Sequence, residues 1–372
     1  MTIAAVDLAR QARRDYSLVG ESTSRAVETG LASAEWYHTD VPRKAIKELM
    51  QRTDGPAIRD TVIWLGALLV SAAGAVWFWH TWWCVPFFLA YGVLYGSASD
   101  SRWHECGHGT AFRTDWMNNL VYQIASFMLM RNPVTWRWSH ARHHTDTIIV
   151  GRDAEIAVMR PPHLLKAALM FTGLLDFRYS LPNLVRNAFG ALTPSERSFI
   201  PESEQPKAIT AARWHMVVYL AAIVLAVGLR SWLPILLVGT PRLYGSWHMI
   251  MTGLLQHIGL ADDVIDHRLN TRTVYMNPVS RWIYWNMNYH VEHHMFPMVP
   301  YHALPRLHDM IKHDLPTPNP SIWHAYREVW PVLLRQLRYE DHYLRRELPS
   351  GAKPYREEFH GAVAAAAPAQ AA

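Results

Sequence analysis

The sequence predicts an all-α integral membrane protein, with about four membrane-spanning helices in two hairpins and a helical cytoplasmic cap that carries a metal site. Three observations predict it. Uncharged apolar blocks come in two closely spaced pairs, Lys and Arg avoid the turns inside each pair, and histidines gather in three clusters outside the blocks.

Half of the 372 residues are hydrophobic and 17 are Trp, yet the mean hydropathy is close to zero, so apolar blocks must alternate with strongly polar ones. Residues 61–79 (TVIWLGALLVSAAGAVWFW) carry no formal charge, and residues 82–98 follow after only His80 and Thr81. Residues 214–229 form a third block and 233–255 a fourth, interrupted by Pro234, Pro241 and Arg242. A span needs about 20 apolar residues. The alternative, core helices of a soluble protein, is disfavoured by the Trp and Tyr at the block ends and by the pairing into hairpins.

Charge sets the expected topology. Nine Lys/Arg precede the first block, thirteen lie between the second and third, and twelve follow Gln256, whereas the two hairpin turns hold only Arg230. Positive charge stays on the cytoplasmic side, so both termini and the long central loop are expected there, in a bacterial inner membrane. The same argument accounts for the net charge of +5 without invoking nucleic acid.

Residues 1–60 are polar and basic, with no apolar core of a cleavable signal peptide. Within them, 40–52 (DVPRKAIKELMQR) predicts a helix with Asp40 as its cap and Pro42 near its start. Its face of Ala45, Ile46, Leu49 and Met50 would rest on anionic headgroups or pack on the cytoplasmic domain. Residues 61–310 are expected to form the membrane domain, 311–358 C-terminal cytoplasmic helices, and 359–372 a disordered low-complexity tail. The runs 120–130 and 164–175 are short for spans and are expected at the interface, and 193–207 reads as a loop. Cys84 and Cys106 offer no disulfide framework, in keeping with a reducing compartment.

The histidines carry the chemistry. SHARHHTDT (139–147) and NYHVEHHMF (288–296) each contain H-x-x-H-H, and HECGH (104–108) adds an i, i+4 pair. With 21 histidines in 372 residues, one chance copy of H-x-x-H-H is roughly a 6% event and two are far rarer. On a helix these spacings share a face. His140, His143 and His144 are therefore expected to aim at a common point, as are His290, His293 and His294, and His104 with His108. Eight imidazoles exceed the needs of one ion, so two metals are implied, and an all-nitrogen site suits iron, zinc or copper. Ligating imidazoles usually donate their second nitrogen to a carboxylate, carbonyl or water. Glu105 and Glu292 within the boxes, and Asp100, Asp146, Asp153 and Glu155 around them, are candidates, with solvated surface acids as the alternative. Trp136 and Trp138 are candidates to line a substrate channel, or else pack or anchor at the interface; His215 and His248, inside apolar blocks, read as structural.

The order H-x-x-x-H, H-x-x-H-H, H-x-x-H-H, with spans before the first box and between the second and third, resembles the membrane-bound fatty-acid desaturase and hydroxylase superfamily over roughly residues 60–310. The resemblance implies a non-haem di-iron site (two iron ions), O2 as co-substrate and two external electrons per turnover. It also implies one more ligand between the fourth span and the last box, which LLQH (254–257) supplies as His257, and a water-holding role for Asn286. The three residues between His104 and His108 are similar to the acyl-lipid desaturases. No cytochrome b5 or flavin fingerprint is visible, so a ferredoxin-like or other separate donor is expected. The expected reaction is desaturation of an acyl chain in membrane lipids. The alternatives are hydroxylation or ketolation of a lipid, carotenoid or small hydrophobic metabolite, and a non-enzymatic membrane metal or haem-binding protein. The last would want its ligands inside the spans, where these clusters do not lie.

Overall fold

The computed structural model describes residues 14–356, and every regular element among them is helical; Thr273 with Tyr289 and Val274 with Asn319 make isolated bridges. The tail expected at 359–372 lies outside the described residues.

Two short helices come first, α1 (Glu21–Glu28) and α2 (Arg43–Leu49). Helix α2 is shorter than the sequence pattern. Pro42, with its φ fixed near the helical value, stands where the helix begins, so Asp40 does not cap it. Leu49 is buried and Ile46 packs on the core, so its apolar face meets protein.

Helix α3 (Asp54–Trp77) has its only proline in the first turn, where no intrahelical N–H is lost. It turns back into α4 (Cys84–Val93), and a single π-helical turn at Leu94–Ala98 joins α4 to α5 (Ser99–Gly107). Polar structure follows in α6 (Asp115–Met128), α7 (Pro133–Thr145), α8 (Leu164–Met170) and α9 (Leu174–Ala188). The stretch 193–207 is not all loop. Thr193 and Glu196 form a capping box that starts α10 (Pro194–Phe199), a T-x-x-E signal legible in the sequence. Helix α11 (Gln205–Leu229) then runs parallel to the pattern of α3 in length and composition.

By those two properties, two helices can cross a membrane: α11 and the run ending at Trp77. Only 28% and 33% of their apolar stretches are buried inside the protein, whereas a soluble core helix would be mostly buried. Trp77, Trp82 and Trp232, exposed by 84%, 90% and 72%, crowd the two hairpin turns. Exposed indoles at the ends of long apolar helices are the pattern of a membrane–water boundary.

The fourth block is not one unbroken span. It splits into α12 (Leu233–Leu237), α13 (Pro241–Gly245) and α14 (Trp247–Gly253), because Gly239 takes φ 85° and Pro241 restarts the helix. The break lets backbones touch. A Cβ on Gly245 would lie 1.8 Å from the Gly92 carbonyl oxygen, and one on Gly92 would meet the Tyr244 ring. Ser97, in the π turn, seals the crossing by donating to the Gly245 carbonyl (2.6 Å) and accepting from the Met249 N–H (2.9 Å).

The remaining elements close over the polar end: α15 (His267–Asn270), α16 (Pro278–Ile283), α17 (His290–Met295), α18 (Leu304–Ile311) and α19 (Ile322–Gln336). Helix α19 packs Ala325, Val329 and Leu333 on Leu255, Ile258 and Val274. Arg102 binds α5 to the end of α16. Fully buried, it donates to the Ile283 carbonyl (2.6 Å) and lies 4.7 to 5.5 Å from the ring centres of Trp285, Trp282 and Trp64.

Gly245→Ala should therefore destabilise the protein by about 1–3 kcal/mol, the usual cost of overpacking, read as a lower thermal midpoint in detergent. Gly66→Ala, in α3 with open space at its Cβ, should leave the midpoint unchanged or raise it slightly.

Candidate metal centre

The three histidine boxes reach one place by different local means. The π turn rotates α5 so that His104 and His108 face inward. Asn132 caps α7 by accepting from the Val134 and Thr135 N–H groups, with Pro133 at the first helical position, and fixes the start of the second box. The third box is the whole of the short helix α17, and His257 follows the turn Leu254–Gln256.

The boxes do not converge on separate points, one per box. Each triplet is divided between two groups: His104, His108, His140, His144 and His293 in one, and His143, His257, His290 and His294 in the other. Within each group the ligand-type nitrogens all lie within 4.8 Å of one another. Positions i, i+3 and i+4 share a helix face, but that face is wide enough to serve two adjacent points.

The second nitrogens settle the tautomers. His143 Nδ1–H donates to Asp153 (2.8 Å), His140 Nδ1–H to Glu155 (3.0 Å) and His257 Nδ1–H to the Asn270 carbonyl (2.9 Å). Thr147 donates to the His143 carbonyl, which leaves its oxygen to accept from His294 Nδ1–H (3.2 Å). The Gln256 amide nitrogen donates to the Tyr284 hydroxyl (2.5 Å) and lies 3.3 Å from His290 Nδ1. In His143, His140, His257 and His294 the engaged Nδ1 leaves Nε2 as the atom free to ligate.

The Nε2 atoms face one another across the site. Nε2 atoms of His290 and His294 lie 3.1 Å apart, those of His108 and His140 3.1 Å, and those of His144 and His293 3.2 Å. Two nitrogens bound to one ion at about 2.0–2.1 Å stand roughly 3.0–3.4 Å apart, so the spacing fits shared cations. Orphaned atoms agree: both nitrogens of His104 and Nε2 of His257 are buried without a hydrogen-bond partner. Burial, reinforced by neighbouring imidazoles, holds His104, His108, His144, His257, His290, His293 and His294 well below the usual histidine range, as neutral donors. His143 differs. Burial lowers it, but the charge and hydrogen bond of Asp153 outweigh that and push it up to about 9. Glu155 moves the other way, held at about 2 against burial by His140. The residues present fit a pair of metal ions.

A cavity of about 390 Å³ opens onto both groups, with His104 and His140 of one and His143, His257 and His290 of the other in its wall. Trp136 lines it beside Trp103, whereas Trp138 is half-buried and outside the lining. Of the carboxylates within the boxes, neither reaches a box imidazole. Glu105 accepts from Thr110 (2.6 Å) and the Tyr301 N–H (3.0 Å), and burial raises it to about 7. Glu292 bonds His308 and Thr273. Asn286 donates to the Tyr301 carbonyl and belongs to neither imidazole group nor the cavity wall. His248 bonds Ser280 and His215 packs on Phe127, away from the centre. Thr147, Asn270 and Gln256 act on the rings without a sequence signal of their own, apart from Gln256 adjoining His257.

Residues 80–326 match the family model described as fatty acid desaturase. The chain is 24% identical over 268 residues to human fatty acid desaturase 3, covering 67% of this chain and 58% of that one. It is 28% identical over 108 residues to an sn-1 oleoyl-lipid 12-desaturase of Synechocystis sp., covering 29% and 30%. A Glycine max omega-6 fatty acid desaturase, endoplasmic reticulum isozyme 1, is 34% identical over 74 residues, 19% of each. The chain thus spans less than two thirds of the length of these relatives.

Because Asp153 and Glu155 stand behind different groups, Asp153→Asn should weaken one metal and Glu155→Gln the other. Each loss should be on the order of tenfold, the low end for removing a partner of a ligating histidine. A two-site ferrous titration followed by metal analysis distinguishes them.

Proposed function

The chain belongs to the fatty acid desaturase family, and on that premise we propose that it is a membrane enzyme that uses two iron ions and O2 to introduce a double bond into a lipid-linked acyl chain. The observation that carries this reading is the single cavity onto which both imidazole groups open. His104, His108, His140, His144 and His293 would hold one ion, and His143, His257, His290 and His294 the other. Bound iron would supply the oxidising power that, with O2 and two external electrons, removes two hydrogens from adjacent carbons.

The chain's own residues hold and orient. Asp153, Glu155, Thr147, Gln256 and the Asn270 carbonyl fix the imidazole rings before any metal arrives, so little reorganisation is left for turnover. Val158, Met170, Ile250 and Leu254 give the cavity an apolar wall that excludes water and bends an acyl chain past the histidines. Trp103 and Trp136 form the wall beside His104 and His140. Arg131 lies over both indoles at 4.5 and 4.6 Å and is neutralised by Asp100 at 2.6 Å, so it does not place a bare charge there.

Four spans, with the histidines and both ends of the described chain on the cytoplasmic side of a bacterial inner membrane, fit the lysine and arginine distribution and the exposed apolar surface of α3 and α11. A ferredoxin-like or other carrier would bring the electrons. A second reading, oxidation of a shorter substrate with a polar group, is favoured by the charged side chains Lys166, Asp176 and Asp262 elsewhere in the same wall.

Expression with an electron donor, followed by lipid mass spectrometry, should yield acyl chains lacking two hydrogens, absent with His144→Ala. Products that gain one oxygen select hydroxylation, and unchanged lipids with iron bound and reduced overturn the acyl-lipid assignment. Val158→Trp, which fills the cavity, should cut turnover while leaving the iron content at the parent level.

A further inference from the structure

Four of the nine imidazoles do not line the large cavity: His108, His144, His293 and His294. Behind the last is a column of rings that the reaction above leaves unused. The His267 ring lies against His294, with centroids 5.0 Å apart and planes inclined by 33°. On its other side it stacks flat on the Trp36 indole, at 4.3 Å and 10°. His267 is 2% exposed, belongs to neither imidazole group, and has no hydrogen-bond partner at Nδ1.

Trp36 is half-buried, between the exposed residues Glu35 and His38 and the carbonyl of Thr145, to which its Nε1–H donates (3.0 Å). Thr145 is the last residue of α7, next to His144. The column thus begins at the surface and ends on a histidine of the four-member group. None of its rings lines the cavity, whose own indoles, Trp103 and Trp136, sit on the substrate side.

Resting on the reading of the site as a redox-active metal pair, we infer that Trp36 and His267 form the route by which single electrons from an external one-electron carrier protein reach the four-histidine group through His294. Tunnelling falls steeply with every gap, and stacked rings keep the gaps short. Placing the route opposite the cavity lets electrons arrive while substrate fills the cavity and water stays out. No bond is made or broken in the transfer. The carrier is oxidised by one electron and the metal pair reduced by one. Two visits supply the electrons that O2 needs, beyond the pair drawn from the substrate, to become water.

The test uses the iron-loaded full chain with Glu35→Cys as the attachment point for a ruthenium photosensitiser. A Cys84→Ser background leaves only the buried Cys106 as a native thiol. A flash injects one electron beside Trp36, and the loss of ferric absorbance is timed. Trp36→Leu should slow reduction on the order of tenfold, as for loss of other groups behind a ligating histidine. Trp36→Phe, which restores a flat ring, should recover most of the rate, and both should keep the parent iron content. Parent-rate reduction in Trp36→Leu overturns the route, and so does loss of iron in that variant, which would make Trp36 a packing residue. Iron that is reduced normally but gives no desaturated product leaves the route standing and removes the proposed reaction instead.

Discussion

Nine imidazoles are brought together in a buried space, seven of them held neutral by burial and by one another, and the rest of the structure is arranged around that crowding. In the folded chain Nε2 atoms face each other at 3.1 to 3.2 Å. An unpaired buried polar nitrogen costs about 1–3 kcal/mol, so a cluster of this size is a large standing penalty unless cations occupy it. Asp153, Glu155, Thr147 and the Asn270 carbonyl hold the other edge of the rings, which stops the imidazoles from rotating away to relieve the crowding. Metal affinity is built from this preorganisation, and the binding free energy becomes folding free energy.

The membrane elements serve the same end from the other side. Helix α3 and helix α11 are long and apolar enough to cross a membrane and leave most of their apolar stretches outside the protein. The close crossing of α4 and α13 at Gly92 and Gly245 lies just before the π turn, which leads directly into the helix that carries His104. Arg102, caged by three indoles, fastens the same helix to the loop that leads into the third box. The glycine crossing and the first box are thus joined by continuous helix. Two features reach the centre from different directions, an apolar-walled cavity and the stacked rings of Trp36 and His267, and none of those rings lines the cavity.

Much of this was legible in the amino-acid order. The helical class, the long apolar helices and the histidine boxes follow from period, block length and spacing, which are local properties of the chain. Even His257 came within reach once the boxes pointed to a known pattern. The division of each triplet between two groups was not legible, because i, i+3 and i+4 share a face whether they serve one point or two. Only the position of α5 and α17 against α7 decides which imidazole joins which neighbour. The same holds for the carboxylates. Glu105 and Glu292 adjoin the ligands in sequence but point to Thr110 and His308, whereas Asp153 and Glu155, on a loop after α7, fold back onto His143 and His140. Asp40 lost its capping role to Pro42, and the fourth block broke at Gly239 for a contact with α4 that no local pattern announces. The sequence by itself determined the helical class and the histidine spacing, since both depend on neighbours a few residues apart. Tertiary structure alone decided the pairing of ligands, their supports and the ring column from Trp36, since these depend on how separate elements pack, from Asp153 folding back 10 residues onto His143 to His293 meeting His144 149 positions away.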